Sequence, residues 1–250
     1  MGEFALGQAV PRFEDPRLLR GGGRYVDDMV LPRMVFGYVL RSPYAHARLR
    51  SVDTAAAKAA PGVLAVLTGA DWEASGWGDL PVPRGLRLRD GGPAVRPRFP
   101  ALVKDRVRWV GDYVAFVVAE TRHQAEDAAE LIAVDYEPLP AIVSTAGAVE
   151  PGAPLVWEEA PGNVAFFHSE GDPAKTEAAI AGAAHVVRRR LTVNRVTAAA
   201  MEPRGAIGDY NSAADHYTIY TTLQRIHSYR AELATQVMKV PESHVRVVAG

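Results

Sequence analysis

The sequence predicts an α+β fold, and three observations predict it. Short β-branched and aromatic runs read as buried strands, alanine-rich segments between them carry helix signals, and the two kinds of element interleave with no internal repeat. With 48% hydrophobic and 23% charged residues over 250 positions, the chain can bury a core in one or two domains, and whole-chain disorder is excluded.

From the N-terminus, residues 34–40 form the first expected strand and 63–67 the next. Between them Ala55 to Ala60 favour helix, with Asp53 as the expected cap and Pro61-Gly62 as the stop. Residues 113–119, all apolar, make the strongest strand. Thr121 and Gln124 then show the Thr-x-x-Gln spacing of a capping box. Ala125, Ala128, Ala129 and Ile132 recur at the spacing of one helix face, which packs that helix on a sheet, and 134–136 read as the following strand.

Two stretches break the pattern. Residues 78–100 carry Pro81, Pro83, Pro93, Pro97 and Pro100 with Arg84, Arg87, Arg89, Arg96 and Arg98, a locally basic excursion that suits a solvated loop or, more sharply, a docking surface for another subunit. Prolines 138, 140, 151, 154 and 161 mark a linker. The expected organisation is a first domain over 1–140, a linker over 141–163 and a second domain over 164–250.

In the second domain Asp172-Pro173 is a cap followed by proline at the first helical position. Strands are expected at 186–193, 206–210 and 217–221. Ile226, Tyr229, Leu233, Val237 and Val240 then recur every three or four residues, a helical stripe that Pro241 stops, and 244–248 is one more strand. Nothing follows it to close the layer, so this domain is expected to be cut short.

Composition excludes several classes of function. Twenty-eight basic against 29 acidic residues give a formal charge of -1, so no global field draws nucleic acid or an anionic membrane. The longest apolar run falls far short of the roughly 20 residues of a spanning helix. Arg12, Glu14 and Asp15 interrupt any N-terminal signal, which makes the cytoplasm the expected compartment. Zero cysteines exclude disulfides, thiolate zinc and a cysteine nucleophile, and any iron–sulfur cluster must sit on another chain.

A self-contained active site is not visible. No two of the seven histidines stand one helical turn apart, and no hydrolase, phosphate-loop or dinucleotide motif is present. Gly21-Gly22-Gly23 reads as a turn, and Glu126, Asp127 and Glu130 as a solvated helix face. Met201-Glu202-Pro203-Arg204-Gly205 is expected to join two strands. Gln224 stands between a strand and an amphipathic helix, a junction from which a side chain can reach a cleft.

At these residues the chain resembles the molybdenum hydroxylases: aldehyde oxidase, xanthine dehydrogenase and the aerobic carbon monoxide dehydrogenase large subunit. The resemblance begins with residues 12–19 and Gly23-Arg24-Tyr25-Val26-Asp27-Asp28. It continues through Arg41-Ser42-Pro43-Tyr44-Ala45-His46-Ala47 and Val110-Gly111-Asp112-Tyr113-Val114-Ala115, which together look like the family's α/β hammerhead domain. Residues 201–205, Gln224 with His227, Pro241-Glu242 and Val245-Arg246-Val247 are similar to the start of a molybdopterin-binding domain. Leu223, Arg225 and Ile226 depart from the Thr, Gly and Pro usual around the glutamine in bacterial members, and Tyr44 stands where His is frequent.

What the resemblance implies is oxidative hydroxylation of an aldehyde, an N-heterocycle or a CO-like substrate, with water as the oxygen source and two electrons passing to molybdenum. The molybdenum-molybdopterin cofactor, expected in its cytosine dinucleotide form, supplies that chemistry. Gln224 is the one implied cofactor-binding residue: as a neutral amide it donates a hydrogen bond to an oxo ligand of the metal without changing the charge of the centre. No residue here is implied as a metal ligand or as catalytic. The implied partners are the remainder of the large subunit, subunits carrying 2Fe-2S and FAD, and a small-molecule substrate. The chain alone is expected to be inactive, and the competing expectation is a non-catalytic assembly module or degenerate relative.

Overall fold

A computed structural model describes residues 7, 11–81, 85–194 and 196–249. Pro83 and Arg84 of the basic excursion, and Gly250, lie outside the described residues. In chain order the elements are α1 (Asp15–Leu18), β1 (Phe36–Arg41), β2 (Ala47–Asp53), α2 (Ala55–Ala59), β3 (Val63–Thr68), α3 (Gly69–Ala74), β4 (Arg106–Val107) and β5 (Tyr113–Ala119). There follow α4 (Arg122–Glu130), β6 (Ala133–Pro138), α5 (Pro173–Ala181), β7 (Ala206–Asn211), β8 (His216–Thr221), α6 (Ile226–Glu232) and β9 (Val245–Ala249). They divide into two compact units, one of Met34–Ala198 with Gln236–Lys239, the other of Met1–Arg33, Ala199–Thr235 and Val240–Gly250.

The Met34–Ala198 unit holds two three-stranded antiparallel sheets, ordered β1-β5-β3 and β4-β2-β6. Ala115, Val117 and Ala119 of β5 form one fully buried row, and Ala125, Ala128 and Ala129 of α4 pack on it. Alanine on both surfaces lets the helix axis approach the sheet closely. Thr121 Oγ1 accepts from the Gln124 backbone N–H at 3.3 Å and donates to Gln124 Oε1 at 2.9 Å, so Thr121 caps α4 as expected, while the Gln124 side chain takes the Thr121 hydroxyl in place of the backbone N–H of a full capping box. Ala47, Val103, Val107 and Val114 make a second core cluster. Fully burying Val107, Val114 and Val117 contributes about 1.5–3 kcal/mol each.

Local details differ from expectation for identifiable reasons. The cap position of α2 falls on Thr54, while Asp53 Oδ1 accepts from Ala55 N at 2.9 Å one residue earlier. β2, unexpected from hydropathy, is held by its ladder to β6. The 78–100 excursion is tied down: Phe167 N donates to Arg87 O and Val95 N to Ala165 O, both at 2.8 Å, and Arg98 pairs with Asp79 at 2.8 Å. Gly78 is required where it stands, since a Cβ there would lie 1.7 Å from the Gln236 carbonyl oxygen.

In the other unit β7 and β8 form an antiparallel hairpin and β9 lies parallel to β8 on its far side. A parallel neighbour needs a crossover, and α6 supplies it. The helix passes into a π-helical stretch at Leu233–Met238 and ends at Lys239, which takes a left-handed φ of 58°. Pro241 therefore opens the following 3-10 turn Glu242–His244 and is not the residue that stops the helix. Residues 186–193 are no strand. Their side chains lie in water and none of residues 184–194 hydrogen-bonds to a described residue, because a strand exists only against a neighbour and none is present among the described residues. The 201–205 motif accordingly precedes one strand and does not join two.

Candidate cofactor-facing site

The turn between β8 and α6 positions Gln224. Thr221 ends β8 buried, Thr222 and Leu223 are half-buried, and Gln224 emerges exposed. Arg225 follows at φ 59°, ψ 41°, a left-handed geometry that costs a side-chain-bearing residue about 1–2 kcal/mol. The turn sets α6 off at once: Tyr229 N donates to Arg225 O at 2.9 Å. Gln224 makes no hydrogen bond to a described residue, so its amide is free to meet an incoming group.

Three separated segments meet beside this turn. Thr221 Oγ1 donates to Gly205 O at 3.1 Å, and Gly205 N donates to Thr222 Oγ1 at 3.3 Å. At the other end of the 201–205 motif Glu202 Oε1 accepts from the Val26 backbone N–H at 2.9 Å. Val26 opens a short turn whose Asp28 carboxylate accepts from Tyr25 N at 2.8 Å. The segments 23–28, 201–205 and 221–225 are thus stitched by side chain to backbone bonds, which fix chain position more firmly than apolar contact alone.

A cleft of roughly 270 Å³ opens on the same unit between α6 and β9, walled by His227, Arg230, Glu242 and Arg246. Arg230 Nη2 donates to Glu242 Oε2 at 3.0 Å, while its Nε is buried without a partner. Gln224 is not on this wall, so the structure brings His227 into the cleft and leaves Gln224 outside it. Burial pushes the Tyr229 hydroxyl above its ordinary value. At the β7–β8 turn Asp215 accepts from Tyr210 Oη at 2.9 Å, which raises the tyrosine, and pairs with His244 Nδ1 at 3.2 Å.

Comparison with known proteins decides the family. Residues 20–140 match the family model described as "Aldehyde oxidase and xanthine dehydrogenase, a/b hammerhead domain", and 156–250 match the "Molybdopterin cofactor-binding domain". The chain belongs to the molybdenum hydroxylases. It is 36% identical over 251 residues to the carbon monoxide dehydrogenase large chain of Afipia carboxidovorans, covering 95% of this chain and 29% of that protein. It is also 36% identical over 222 residues to the nicotine 6-hydroxylase large subunit of Paenarthrobacter nicotinovorans, covering 89% of this chain and 26% of that one. The crystal structure of quinoline 2-oxidoreductase from Pseudomonas putida 86 superposes with a TM-score of 0.81 at 34% identity, over 97% of this chain and 30% of that one. The chain spans less than a third of the length of these molybdenum hydroxylase subunits.

Among the described residues no three His, Cys, Asp or Glu side chains stand where they could hold a metal ion. A cofactor that brings its metal already bound to its own organic part asks the protein for hydrogen-bond donors and shape instead, and the free Gln224 amide is such a donor. The residues fit the group. Arg230 escapes sequence reasoning, because no motif marks it, and only folding sets it on one cleft with Glu242 and Arg246. Among the described residues no helix is long and apolar enough to cross a membrane.

Proposed function

We propose that this chain is part of the molybdopterin-binding subunit of a molybdenum hydroxylase that oxidatively hydroxylates an aldehyde, an N-heterocycle or a CO-like substrate with oxygen from water. The observation that carries the proposal is the convergence beside Gln224: Gly205 bonded to Thr221 and Thr222, and Glu202 bonded to Val26, put three segments of family resemblance in one place. Residues 1–140 serve as N-terminal segment and hammerhead domain, 141–163 as linker and 164–250 as the start of the cofactor domain.

When bound, the molybdenum-molybdopterin cofactor, in its cytosine dinucleotide form, supplies the two-electron oxidation and the oxygen transfer. The chain's own contribution is positional. Gln224 offers a neutral N–H to the molybdenum centre, and the bonds from Thr221 and Thr222 to Gly205 hold the backbone from which it projects. Electrons leave through 2Fe-2S and FAD on partner subunits in a cytoplasmic assembly. The 250 residues alone bind no cofactor and turn nothing over.

The test is purification of the native assembly through a tag on this chain, with molybdenum, iron and flavin quantified and dye reduction assayed on CO, aldehydes and N-heterocycles. Stoichiometric molybdenum and label from isotopic water in the product support the proposal. An assembly free of molybdenum would make the chain an assembly module instead.

A further inference from the structure

The cleft between α6 and β9 has no part in the reaction proposed above. His216, His227, Ser243 and Arg246 stand on its wall, and their side chains have no hydrogen-bond or ion-pair partner among the described residues. Glu242, the one carboxylate of that wall, already accepts from Arg230 Nη2 at 3.0 Å. That pairing balances one positive charge and leaves the charge of Arg246 unbalanced. Asp215, the neighbour of His216 in the chain, is engaged as well: Tyr210 Oη donates to it at 2.9 Å and His244 Nδ1 lies 3.2 Å from it. Arg230 itself is under-bonded, because its Nε is buried without an acceptor. The cleft therefore holds a surplus of donors, namely the Arg246 guanidinium, the Ser243 hydroxyl and the N–H of two imidazoles.

We propose that this cleft binds a phosphoryl group, as inorganic phosphate or on a small organic phosphate ester, with Arg246 supplying the charge and Arg230, Ser243, His216 and His227 further donors. The donors come from four separate elements: His216 from β8, His227 and Arg230 from α6, Ser243 from the turn Glu242–His244 and Arg246 from β9. Such a spread suits a group whose several oxygens point in different directions better than it suits a planar carboxylate, which one guanidinium fork already satisfies. The rest of the wall is apolar, Ile226, Val245 and Val247, and the roughly 270 Å³ leaves room beside a phosphate for the organic part of an ester. All of these residues belong to one compact unit. Gln224 is not among them, so failure of this site would leave the cofactor reading untouched.

Isothermal titration calorimetry tests this on the native assembly and on the 250-residue chain, with inorganic phosphate, phenyl phosphate and acetate titrated at one ionic strength. Expected in both is binding of phosphate at one site per chain, about 10-fold or more tighter than acetate. Arg246→Ala should weaken it by about 10-fold or more, the worth of a hydrogen-bonded charge. Arg96→Ala removes another exposed arginine, in the Met34–Ala198 unit, and should leave phosphate binding as it was. Where Arg246→Ala does not fold, Ser243→Ala decides the matter with a loss of about 3-fold, the worth of one neutral donor. Tighter binding of phenyl phosphate than of phosphate assigns the site to an ester, and equal binding assigns it to the free ion. Equal affinity for phosphate and acetate overturns the inference, as does an equal loss in Arg246→Ala and Arg96→Ala, which would show diffuse attraction and no site. Binding by the chain that is absent from the assembly overturns it too, because another polypeptide then fills the cleft.

Discussion

β5 and residues 186–193 are both expected as strands and meet opposite fates. Both are rich in valine and both read as strands, yet β5 is the central strand of its sheet with Val114 and Val117 at 0% exposure, whereas Val187 and Val193 stand in water. The difference is the neighbours: β1 and β3 bond β5 from both sides and α4 covers one face. Strand propensity records how well a residue suits a pleated, half-buried surface, and the surface has to be supplied by other chain segments.

The largest effect should separate these two regions outright. Val117→Asp buries a charge in a closed alanine-valine core and should cost more than about 4 kcal/mol, removing cooperative unfolding in urea. Leu191→Asp in the same 250-residue chain should change stability by less than about 0.5 kcal/mol. Comparable losses would erase the distinction. Next in size is Gly37→Ala: the ring of Phe116 lies across Gly37, a Cβ would fall 2.3 Å from its Cζ, and the forced shift should cost about 1–3 kcal/mol by urea titration.

Legibility followed the same divide. The β5–α4 unit could be read directly, since an unbroken apolar run, a Thr-x-x-Gln cap and an alanine face each state one local preference and the fold agrees with all three. β2 could not, because Arg48, Arg50 and Ser51 break its hydropathy and its stability comes from β6, including the Arg50–Glu137 pair. The 186–193 strand was legible as pattern and absent as structure for want of a partner. Gln224 could be picked out only through family resemblance. The bond from Val26 N to Glu202 crosses 176 residues of sequence, and no spacing rule reaches that far.

Asp112 sharpens the comparison within the closed unit. Its carboxylate accepts from Arg108 N and Tyr113 N, both at 3.0 Å, yet burial pushes its pKa up. A carboxyl that holds its proton more tightly when folded contributes fully below the ordinary Asp range near about 4, and that contribution is lost as pH rises through the raised value. Asp112→Asn cannot titrate and loses an acceptor, so it should cost about 1–2 kcal/mol at pH 4 and less at pH 7. A deficit that grows with pH would contradict the dominance of burial.

The smallest effects compare two helix caps. Thr121→Ala frees a cap on a helix packed against the core and should cost about 1 kcal/mol of global stability. Asp172 caps α5 just as directly, accepting from Lys175 N at 3.0 Å, but every residue of α5 is exposed. Asp172→Ala should therefore reduce helicity by circular dichroism and leave the urea midpoint unmoved. A shifted midpoint would show that α5 belongs to the cooperative unit.

The most direct test of the cofactor-facing site is the turnover of Gln224→Ala in the complete enzyme assembly, measured beside its molybdenum content. Loss of the amide donor should lower turnover or molybdenum retention by about 10 to 100-fold while subunit assembly is intact. Gln224→Glu should fall further, because a carboxylate would repel the electron-rich centre that the amide is proposed to face. Unchanged turnover and unchanged molybdenum in Gln224→Ala would contradict the account and reduce Gln224 to a residue that merely precedes a helix.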